Sequence, residues 1–207
     1  LVPVVPINVQ PGTAPVSLAM VIGYAMEYEG GRLQEKYDFV PMFFTDDSRA
    51  IERASTTGIF LFSNYVWNYE ENLAISAAVK AVNPNNITIH GGPSTPKYEP
   101  DAKVFFDEHP HIDITVRGEG EATLADLLDN LDLATSRDLD TLAEVPGLTY
   151  RTINGLTRTS DRERIADINT IPSPFLMGLL DDFGSVKAAA VIETNRGCPY
   201  GCTFCDW

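Results

Sequence analysis

Short apolar runs alternate with longer amphipathic or polar stretches over the first two-thirds of the chain. The apolar runs predict five strands, at residues 4–9, 37–44, 58–62, 87–90 and 112–117. Helices are predicted between them at residues 15–28, 46–54 and 68–82, and again where Leu124, Leu127, Leu128 and Leu131 recur at helical spacing. Strands separated by helical segments need crossover connections, so the pattern predicts an α/β fold with a doubly wound parallel sheet.

The ends of two predicted helices carry their own signals. Asn68, followed three residues later by Glu71, has the form of a capping box at the start of the helix over residues 68–82. Thr13 is the candidate N-cap of the helix over residues 15–28.

The alternation of strands and helices ends after about residue 140. Residues 148–152 and 156–159 flank Asn154-Gly155, which predicts a β-hairpin because both turn positions require positive φ. A polar segment with Pro172 and Pro174 is typical of a linker. Residues 188–194 then predict a further strand, which leads into a segment rich in cysteine.

Composition and charge exclude several classes of protein. Hydrophobic residues make up 44% of the chain and charged residues 21%, which is typical of globular proteins. The formal net charge of −14 argues against a broad surface for nucleic acid or anionic lipid. With no long apolar run and no signal-peptide pattern, we expect a cytoplasmic protein with no membrane partner. The acidic residues between positions 99 and 144 are expected to form a solvated face.

The three cysteines, Cys198, Cys202 and Cys205, lie within eight residues of one another, and no other cysteine occurs. An odd number at this spacing is not a disulfide framework and predicts a metal or cluster site. Three thiolates can hold three irons of a four-iron cubane and leave the fourth open. A zinc knuckle is less favoured because structural zinc takes four ligands, and the nearest histidine is His111. A redox thiol cluster is the other alternative.

Three polar or glycine-containing loops directly follow predicted strands. The carboxyl ends of parallel strands form the edge where α/β sheets bind ligands, and glycine lets a ligand approach the backbone. The candidate contact residues are Ser63, Asn64, Tyr65, Trp67, Asn68, Gly91, Gly92, Pro93, Ser94, Gly118, Glu119 and Gly120, together with Thr13. Two alternatives remain open: a Gly-Gly pair is often just a tight turn, and residues 65–67 could pack into the core.

The spacing Cys-x3-Cys-x2-Cys, with Phe204 before the last cysteine and a predicted strand upstream, resembles the radical S-adenosylmethionine (SAM) superfamily. The resemblance implies that the three cysteines ligate a 4Fe–4S cluster whose open iron binds SAM. Together with the three loops, the chain is similar to the cobalamin-binding class of these enzymes. It then implies a cobalamin-binding, Rossmann-like domain at 1–140, a hairpin and linker at 141–187, and the start of a radical SAM domain at 188–207.

This resemblance implies a methyltransferase that uses methylcobalamin and a deoxyadenosyl radical to methylate an unactivated carbon. A small-molecule or peptide substrate and an external electron donor are then expected, and nucleic acid is not. A cyclising or rearranging enzyme of the same class, or a non-catalytic cobalamin-binding or docking module, remains an alternative. Because the chain starts at Leu1 and stops two residues after its last cysteine, we expect a fragment that is incomplete for catalysis.

One departure from better-known cobalamin modules concerns the cobalt ligand. Those modules place Asp-x-His-x-x-Gly after the first strand, whereas residues 8–13 of this chain contain no histidine. The lower face of a bound cobalamin is therefore expected to lack an imidazole from this loop. His90 is the nearest rival ligand, although a strand-end histidine satisfied by backbone groups is the simpler expectation. His109 and His111 are expected to be solvated.

Overall fold

The computed structural model describes residues 1–9, 14–41, 47–132, 139–181, 192–198, 200, 202 and 203. The strands are β1 (Val2–Ile7), β2 (Tyr37–Phe39), β3 (Ile59–Ser63), β4 (Ile87–Gly91), β5 (Ile114–Val116), β6 (Leu148–Thr152) and β7 (Gly155–Arg158). The α-helices are α1 (Val16–Glu27), α2 (Asp47–Arg53), α3 (Tyr69–Val82), α4 (Glu99–Glu108) and α5 (Glu121–Asn130). Short 3-10 helices occupy Tyr28–Gly30, Arg32–Glu35, Leu139–Leu142 and Ile168–Thr170.

The described strands form one seven-stranded sheet in the order β2-β1-β3-β4-β5-β6-β7. The first five strands are mutually parallel, which confirms the predicted doubly wound α/β fold. The hairpin of β6 and β7 extends the same sheet, because β6 pairs antiparallel with β5. The predicted hairpin is therefore confirmed, and it belongs to the main sheet. Its turn differs from the prediction: Gly155 (φ +121°) is the first residue of β7 and pairs with Thr152, so the turn residues are Ile153 and Asn154, and Asn154 does not have positive φ.

Alternate residues of the buried strands pack against helices on opposite faces. Val4 of β1 lies in a core cluster with residues of α1 and α5, whereas Val5 lies in a second cluster with residues of α2 and α3. α4 packs beside α3 through Phe105 and Phe106. Because successive side chains of a strand point to opposite faces, two-sided burial requires the unbroken apolar run that β3 shows.

A crevice is expected at the carboxyl ends of β1 and β3. These strands are neighbours, but the helix after β1 packs on one face of the sheet and the helix after β3 on the other. Loops that leave two adjacent strands toward opposite faces diverge, and such switch points bind ligands in open α/β sheets. The fold thus puts the candidate loops where sequence analysis expected them.

Several local predictions differ from the structure. The second predicted strand ends at Phe39, and residues 42–46 lie outside the described part. Of the strand predicted over residues 188–194, residues 192–194 are not in a strand and the rest is not described. α4 was not predicted, because its hydrophobic residues are few beside its charges. No helix in the described part is both long and apolar enough to cross a bilayer.

The predicted helix caps are wrong in detail. Asn68 occupies the N-cap position of α3, but its side chain makes no capping hydrogen bond and instead accepts one from the Tyr65 amide, at 2.7 Å. Pro15 occupies the N-cap position of α1 that the sequence assigned to Thr13, and Thr13 itself lies outside the described residues.

Gly92 shapes the turn after β4. Its φ is +87°, and a Cβ there would lie 2.7 Å from the carbonyl oxygen of Asn64 and 2.8 Å from its amide nitrogen. Both neighbours are backbone atoms of the loop after β3, so they cannot rotate away. Gly118, after β5, also has positive φ, at +72°, but a Cβ there would meet no atom within 4 Å.

We therefore expect Gly92→Ala to lower the free energy of unfolding by more than about 2 kcal/mol, because backbone strain and a backbone clash add. Gly118→Ala is the matched control. It should lower the free energy of unfolding by about 1 kcal/mol, because it introduces the backbone strain of a positive φ without the backbone clash. Urea unfolding of the two variants beside the unsubstituted chain measures both. Equal losses would contradict the close approach of the two loops.

Candidate functional site

The loops after β3 and β4 form one continuous edge. The Asn64 amide donates to the Gly91 carbonyl at 2.7 Å, and the Ser94 amide donates to the Asn64 carbonyl at 3.0 Å. The hydroxyls of Ser17, in the first turn of α1, and Ser63, at the end of β3, lie 3.3 Å apart. The first turn of α1 therefore lies close to the end of β3 at the carboxyl edge.

A buried polar network, made of Asn64, Asn72, Ser76, His90 and Thr95, lies beneath this edge. The Asn64 side-chain amide donates to His90 Nδ1 and to Thr95 Oγ1, both at 3.1 Å, and its Oδ1 accepts from Asn72 Nδ2 at 2.9 Å. Asn64 is fully buried. Its polar groups are thus bonded within the protein, and it supports the loop rather than offering a free amide to a ligand.

His90 has both ring nitrogens engaged. Nδ1 accepts from Asn64, so Nε2 carries the proton that it donates to Ser76 Oγ at 2.9 Å. The ring stacks on Phe62 with centroids 4.5 Å apart. Burial, followed by the charges of His111 and His109, holds the pKa of His90 well below its usual value, so the imidazole is neutral. His90 cannot ligate cobalt, and its partners are side chains rather than the expected backbone groups.

The other two histidines lie at the opposite end of the sheet, before β5. His109 packs edge-on against Phe105 with centroids 5.0 Å apart, and its ring lies 5.6 Å from that of His111. Both are half-buried, so the expectation that they are solvated is wrong. All three histidines of the chain are described, and none presents a free ring nitrogen at the carboxyl edge.

The outer surface of the edge is aromatic and glycine-rich. Tyr65 and Trp67 stack with centroids 4.7 Å apart and planes 12° apart, and Trp67 is 57% exposed. Val66 between them is also exposed, so the alternative that residues 65–67 pack into the core is wrong for Val66 and Trp67. An exposed, paired aromatic surface at a switch point suits a large planar ligand.

The remaining predicted contact residues fall into two groups. Asn68 is internal, because its Nδ2 donates to the Ser63 carbonyl at 3.1 Å and its Oδ1 accepts from the Tyr65 amide. The second group consists of predicted contact residues that solvent can reach, because they are exposed or half-buried: Gly91, Gly92, Pro93, Ser94, Gly118, Glu119 and Gly120. Whether these residues contact a cofactor stays a prediction.

The Gly118–Gly120 loop is followed by Glu121, and two of these residues contact the segment before the cysteines. Arg196 donates through Nη2 to Glu121 Oε1, and its Nη1 lies 3.7 Å from Glu119 Oε1. Glu193 completes the set, 2.9 Å from Nη2. We call these four residues the Arg196 ion cluster. Sequence reasoning missed it because Arg196 and Glu121 are 75 positions apart in the chain.

Arg196 is partly buried yet remains charged. Burial alone would lower its pKa, but the hydrogen bonds that Arg196 donates to Glu121 and Glu193, together with the charges of those carboxylates, outweigh that effect and raise the pKa. The Arg196 side chain is only 14% exposed, and that of Glu121 5%. The expectation of a solvated acidic face over 99–144 is confirmed in part. It is wrong for Glu121, which is buried, and for Asp113, which pairs with Lys80 at 2.9 Å. It is confirmed for the exposed residues Glu99, Asp101, Asp107, Glu108, Asp140 and Glu144.

The cysteine segment, by which we mean residues 192–205, supplies a thiol close to this ion cluster, because Cys198 lies two residues after Arg196. Cys198 and Cys202 are exposed and unpaired, whereas Cys205 and Phe204 lie outside the described residues. Among the described side chains, no three His, Cys, Asp or Glu groups gather into a metal site. A site that uses all three thiols therefore stays a prediction.

A small cleft opens between α1 and the cysteine segment. It holds about 160 Å³ and is lined by apolar residues such as Val16, Met20, Phe175 and Ile192, with Arg196 and Glu193 at one side. The ion cluster thus forms part of the wall of a cleft that reaches α1.

The burial of His90 predicts a pH dependence of stability. In the unfolded chain its pKa returns to about 6.5, so the unfolded state binds a proton that the folded state does not. This contribution to stability is complete above pH 6.5 and is lost as the pH falls, at up to about 1.4 kcal/mol per pH unit. Urea unfolding between pH 7 and 5 measures how the free energy of unfolding changes with pH. In His90→Gln this change should correspond to about one proton fewer taken up on unfolding than in the unsubstituted chain. Equal slopes would contradict a neutral, buried His90.

Comparisons with known proteins identify relatives along nearly the whole chain. It is 33% identical over 202 residues to 2-(S-pantetheinyl)-carbapenam-3-carboxylate methyltransferase of Streptantibioticus cattleyicolor, covering 92% of this chain and 28% of the relative. It is 30% identical over 203 residues to the cobalamin-dependent radical SAM methyltransferase TokK of Streptomyces tokunonensis, covering 93% of this chain and 28% of TokK. An anaerobic magnesium-protoporphyrin IX monomethyl ester cyclase of Synechocystis matches at 32% identity over 127 residues, covering 59% of this chain and 23% of the cyclase. No family model matches.

A solved structure supports the fold. The radical SAM methyltransferase TsrM from Kitasatospora setae, solved with cobalamin and a 4Fe–4S cluster bound, superposes with a TM-score of 0.54 at 19% identity, over 83% of this chain and 31% of TsrM. The chain spans about 28% of the length of its first two relatives. On these sequence matches, with the cysteine spacing and the shared fold, the chain belongs to the cobalamin-binding radical SAM family.

Proposed function

We propose that this chain contributes the cobalamin-binding domain and the cluster loop of a cobalamin-dependent radical SAM methyltransferase. The observation that carries the proposal is a juxtaposition: the Arg196 ion cluster joins the segment that contains Cys198 to the carboxyl edge of the sheet. A methyl donor held at that edge and a cluster held by that segment would face each other. Cysteine spacing alone supports a cluster and the sheet alone supports a cobalamin, but methyl transfer needs both.

The carboxyl edge fits a corrinoid. The glycine turns after β4 and β5 leave the backbone accessible, and a Cβ on Gly118 would project into open space. The exposed Tyr65–Trp67 pair offers a flat apolar surface next to them. With every histidine engaged or distant, the chain would hold cobalamin by contacts around the ring and its tail, without an imidazole on cobalt.

The thiol set fits a 4Fe–4S cluster with one open iron, at which SAM would bind. Cys198, Cys202 and Cys205 would be the ligands, and thiolates of this kind require a reducing compartment, which favours the cytoplasm. When bound, the cluster, SAM and cobalamin supply the radical and methyl-transfer chemistry. This chain's own residues would bind and orient these groups, and Arg196 would fix the loop without exchanging a proton.

The whole protein would act on a small molecule or a peptide with an unactivated carbon and would take electrons from an external donor. Nothing in the chain recommends nucleic acid as a partner, given its net charge of −14. The match to a cyclase keeps ring formation as a second candidate outcome of the same cofactor set. Analysis of the product, once a substrate is known, separates the two.

Anaerobic reconstitution of the full-length protein tests the proposal. We expect it to bind about one cobalamin and one 4Fe–4S cluster, seen as corrin bands above a broad iron–sulfur absorption. Replacing Cys198, Cys202 and Cys205 by Ala should abolish the iron while leaving cobalamin in place, because the two sites use different residues. Corrin bands without iron in the unsubstituted protein would support a cobalamin carrier instead. Absence of both groups would overturn the proposal.

The aromatic pair gives a second test. Trp67→Ala should weaken cobalamin binding by about five- to tenfold, because it removes about 1 kcal/mol or more of stacking. The matched control is Val66→Ala, which removes an exposed neighbour from outside the stacked pair. Equilibrium dialysis with hydroxocobalamin measures both. If the two variants lose affinity equally, or neither does, the pair is not a ring contact.

A further inference from the structure

We infer that Glu119 and Glu121 are positioning residues that hold the cysteine loop, through Arg196, against the carboxyl edge of the sheet. The inference rests on the proposed function, since there the loop carries the cluster. It changes the role expected for Glu119, whose carboxylate binds protein rather than cofactor, while Gly118 and Gly120 stay candidate cofactor contacts.

The contacts of Arg196 show why it can fix the loop. Its guanidinium reaches carboxylates on two separate parts of the chain: Glu119 and Glu121 at the sheet edge, and Glu193 in its own segment. Nε and Nη2 both donate to Glu193 Oε2, at 3.0 and 2.9 Å, which stiffens the segment around Arg196. The planar guanidinium gives the hydrogen bonds of Nε and Nη2 a direction, whereas Nη1 makes no hydrogen bond to any described residue and has only the longer ion-pair contact with Glu119. Glu121 is therefore the partner that fixes Arg196 at the sheet edge, and Glu119 adds attraction.

Glu119 holds a second incoming segment. Its Oε2 accepts a hydrogen bond from the Ile165 amide at 2.6 Å, while its Oε1 faces Arg196. The chain thus returns twice to one carboxylate, once from the polar segment after the hairpin and once just before the cysteines. Both approaches leave Glu119 half-buried, with an 18% exposed side chain.

The base of this ion cluster cannot move freely. A Cβ on Gly120 would lie 3.1 Å from Val21 Cγ2, so the start of α5 lies close against α1. Arg117, at the end of β5, is 5% exposed and donates to the Thr159 carbonyl at 2.7 Å and to Thr149 Oγ1 at 2.9 Å. The loop between Arg117 and α5 is thus fixed at both ends. A side chain that binds to this loop, as Arg196 does, is therefore held in a fixed place relative to the sheet.

Arg196 lies two residues before Cys198, separated by Gly197 with φ of +81°. A Cβ on Gly197 would lie 2.5 Å from Arg164 Nη1, so the backbone here is covered by a side chain of the polar segment. Fixing Arg196 consequently fixes the start of the cysteine loop. Without Glu121, a guanidinium that is mostly buried loses its most buried partner, and the free energy that favours the docked loop falls.

Tryptic cleavage after Arg196 in the full-length protein without cofactors tests this directly. Trypsin must take the arginine side chain into its own pocket, so cleavage requires Arg196 to leave the ion cluster. Glu121→Gln should speed cleavage at this bond by about tenfold, the factor expected for losing a hydrogen bond to a charged group. The matched control is Glu70→Gln, which removes an exposed carboxylate from the first turn of α3 at the same edge of the sheet. Its cleavage rate should stay unchanged.

A second measurement uses the reconstituted protein. Iron release to a chelator should be faster in Glu121→Gln and in Arg196→Gln, and the double variant should be no faster than Arg196→Gln alone, because Glu121 acts through Arg196. The EPR signal of the reduced cluster should broaden, while cobalamin content and melting temperature match those of Glu70→Gln. A merely structural role for Glu121 would lower the melting temperature without changing the signal.

Two results would overturn the inference. One is an unchanged cleavage rate in Glu121→Gln. The other is loss of cobalamin from that variant with cleavage and iron release unchanged, which would make Glu121 a cofactor contact instead of a positioning residue. If the unsubstituted protein binds neither iron nor cobalamin, the proposed function fails, whereas the cleavage test still reports on the contact itself.

Discussion

The order of the first strands imposes the constraint on which the site depends. β1 and β3 lie side by side, yet the helices that follow them pack on opposite faces of the sheet. The edge between them is therefore open to a ligand, and the loops after β4 and β5 extend it along the sheet. Gly92 allows the loops after β3 and β4 to contact each other. On the side of β1, the start of α1 contacts the end of β3 through Ser17 and Ser63.

Two polar assemblies stabilise this edge in different ways. The network of Asn64, His90 and their partners is fully buried, and its described hydrogen bonds join the side chains beneath the loop. Such a network favours one arrangement, because a slip would break hydrogen bonds between buried groups; Asn72 Oδ1 is the network atom that already has no partner among the described residues. The Arg196 ion cluster is partly exposed, and it joins a segment far away in sequence to the edge. One assembly shapes the edge, and the other brings the cysteine segment to it.

The sequence predicts those features that local pattern determines. The buried run of β3, the hairpin of β6 and β7 and the leucine stripe of α5 were all predicted, since each rests on periodicity or turn chemistry within a few residues, although the hairpin turn lies one residue earlier than predicted. The candidate loops after β3, β4 and β5 could be predicted because the carboxyl ends of parallel strands lie at the same edge of a sheet. Cysteine spacing gave the family resemblance directly.

Other features depend on packing that no local pattern encodes. Asn64 and Asn68 look like free polar residues in sequence, but burial makes them internal partners. Asn68 and Glu71 match the spacing of a capping box, yet the Asn68 side chain bonds to the loop before it. No local pattern marks Glu119, Glu121 and Arg196 as partners. The sequence signal that could have indicated the contact was an acidic loop at a strand end together with an arginine close to the cysteines. Only the fold shows that these charges meet.

The most direct test of the account is EPR of the full-length protein that holds both a reduced cluster and cob(II)alamin. If the cysteine segment faces the carboxyl edge as the contacts of Arg196 require, the two unpaired spins are close, and each signal should be split or broadened by the other. A spectrum that equals the sum of the signals from protein loaded with cluster alone and with cobalamin alone would contradict it.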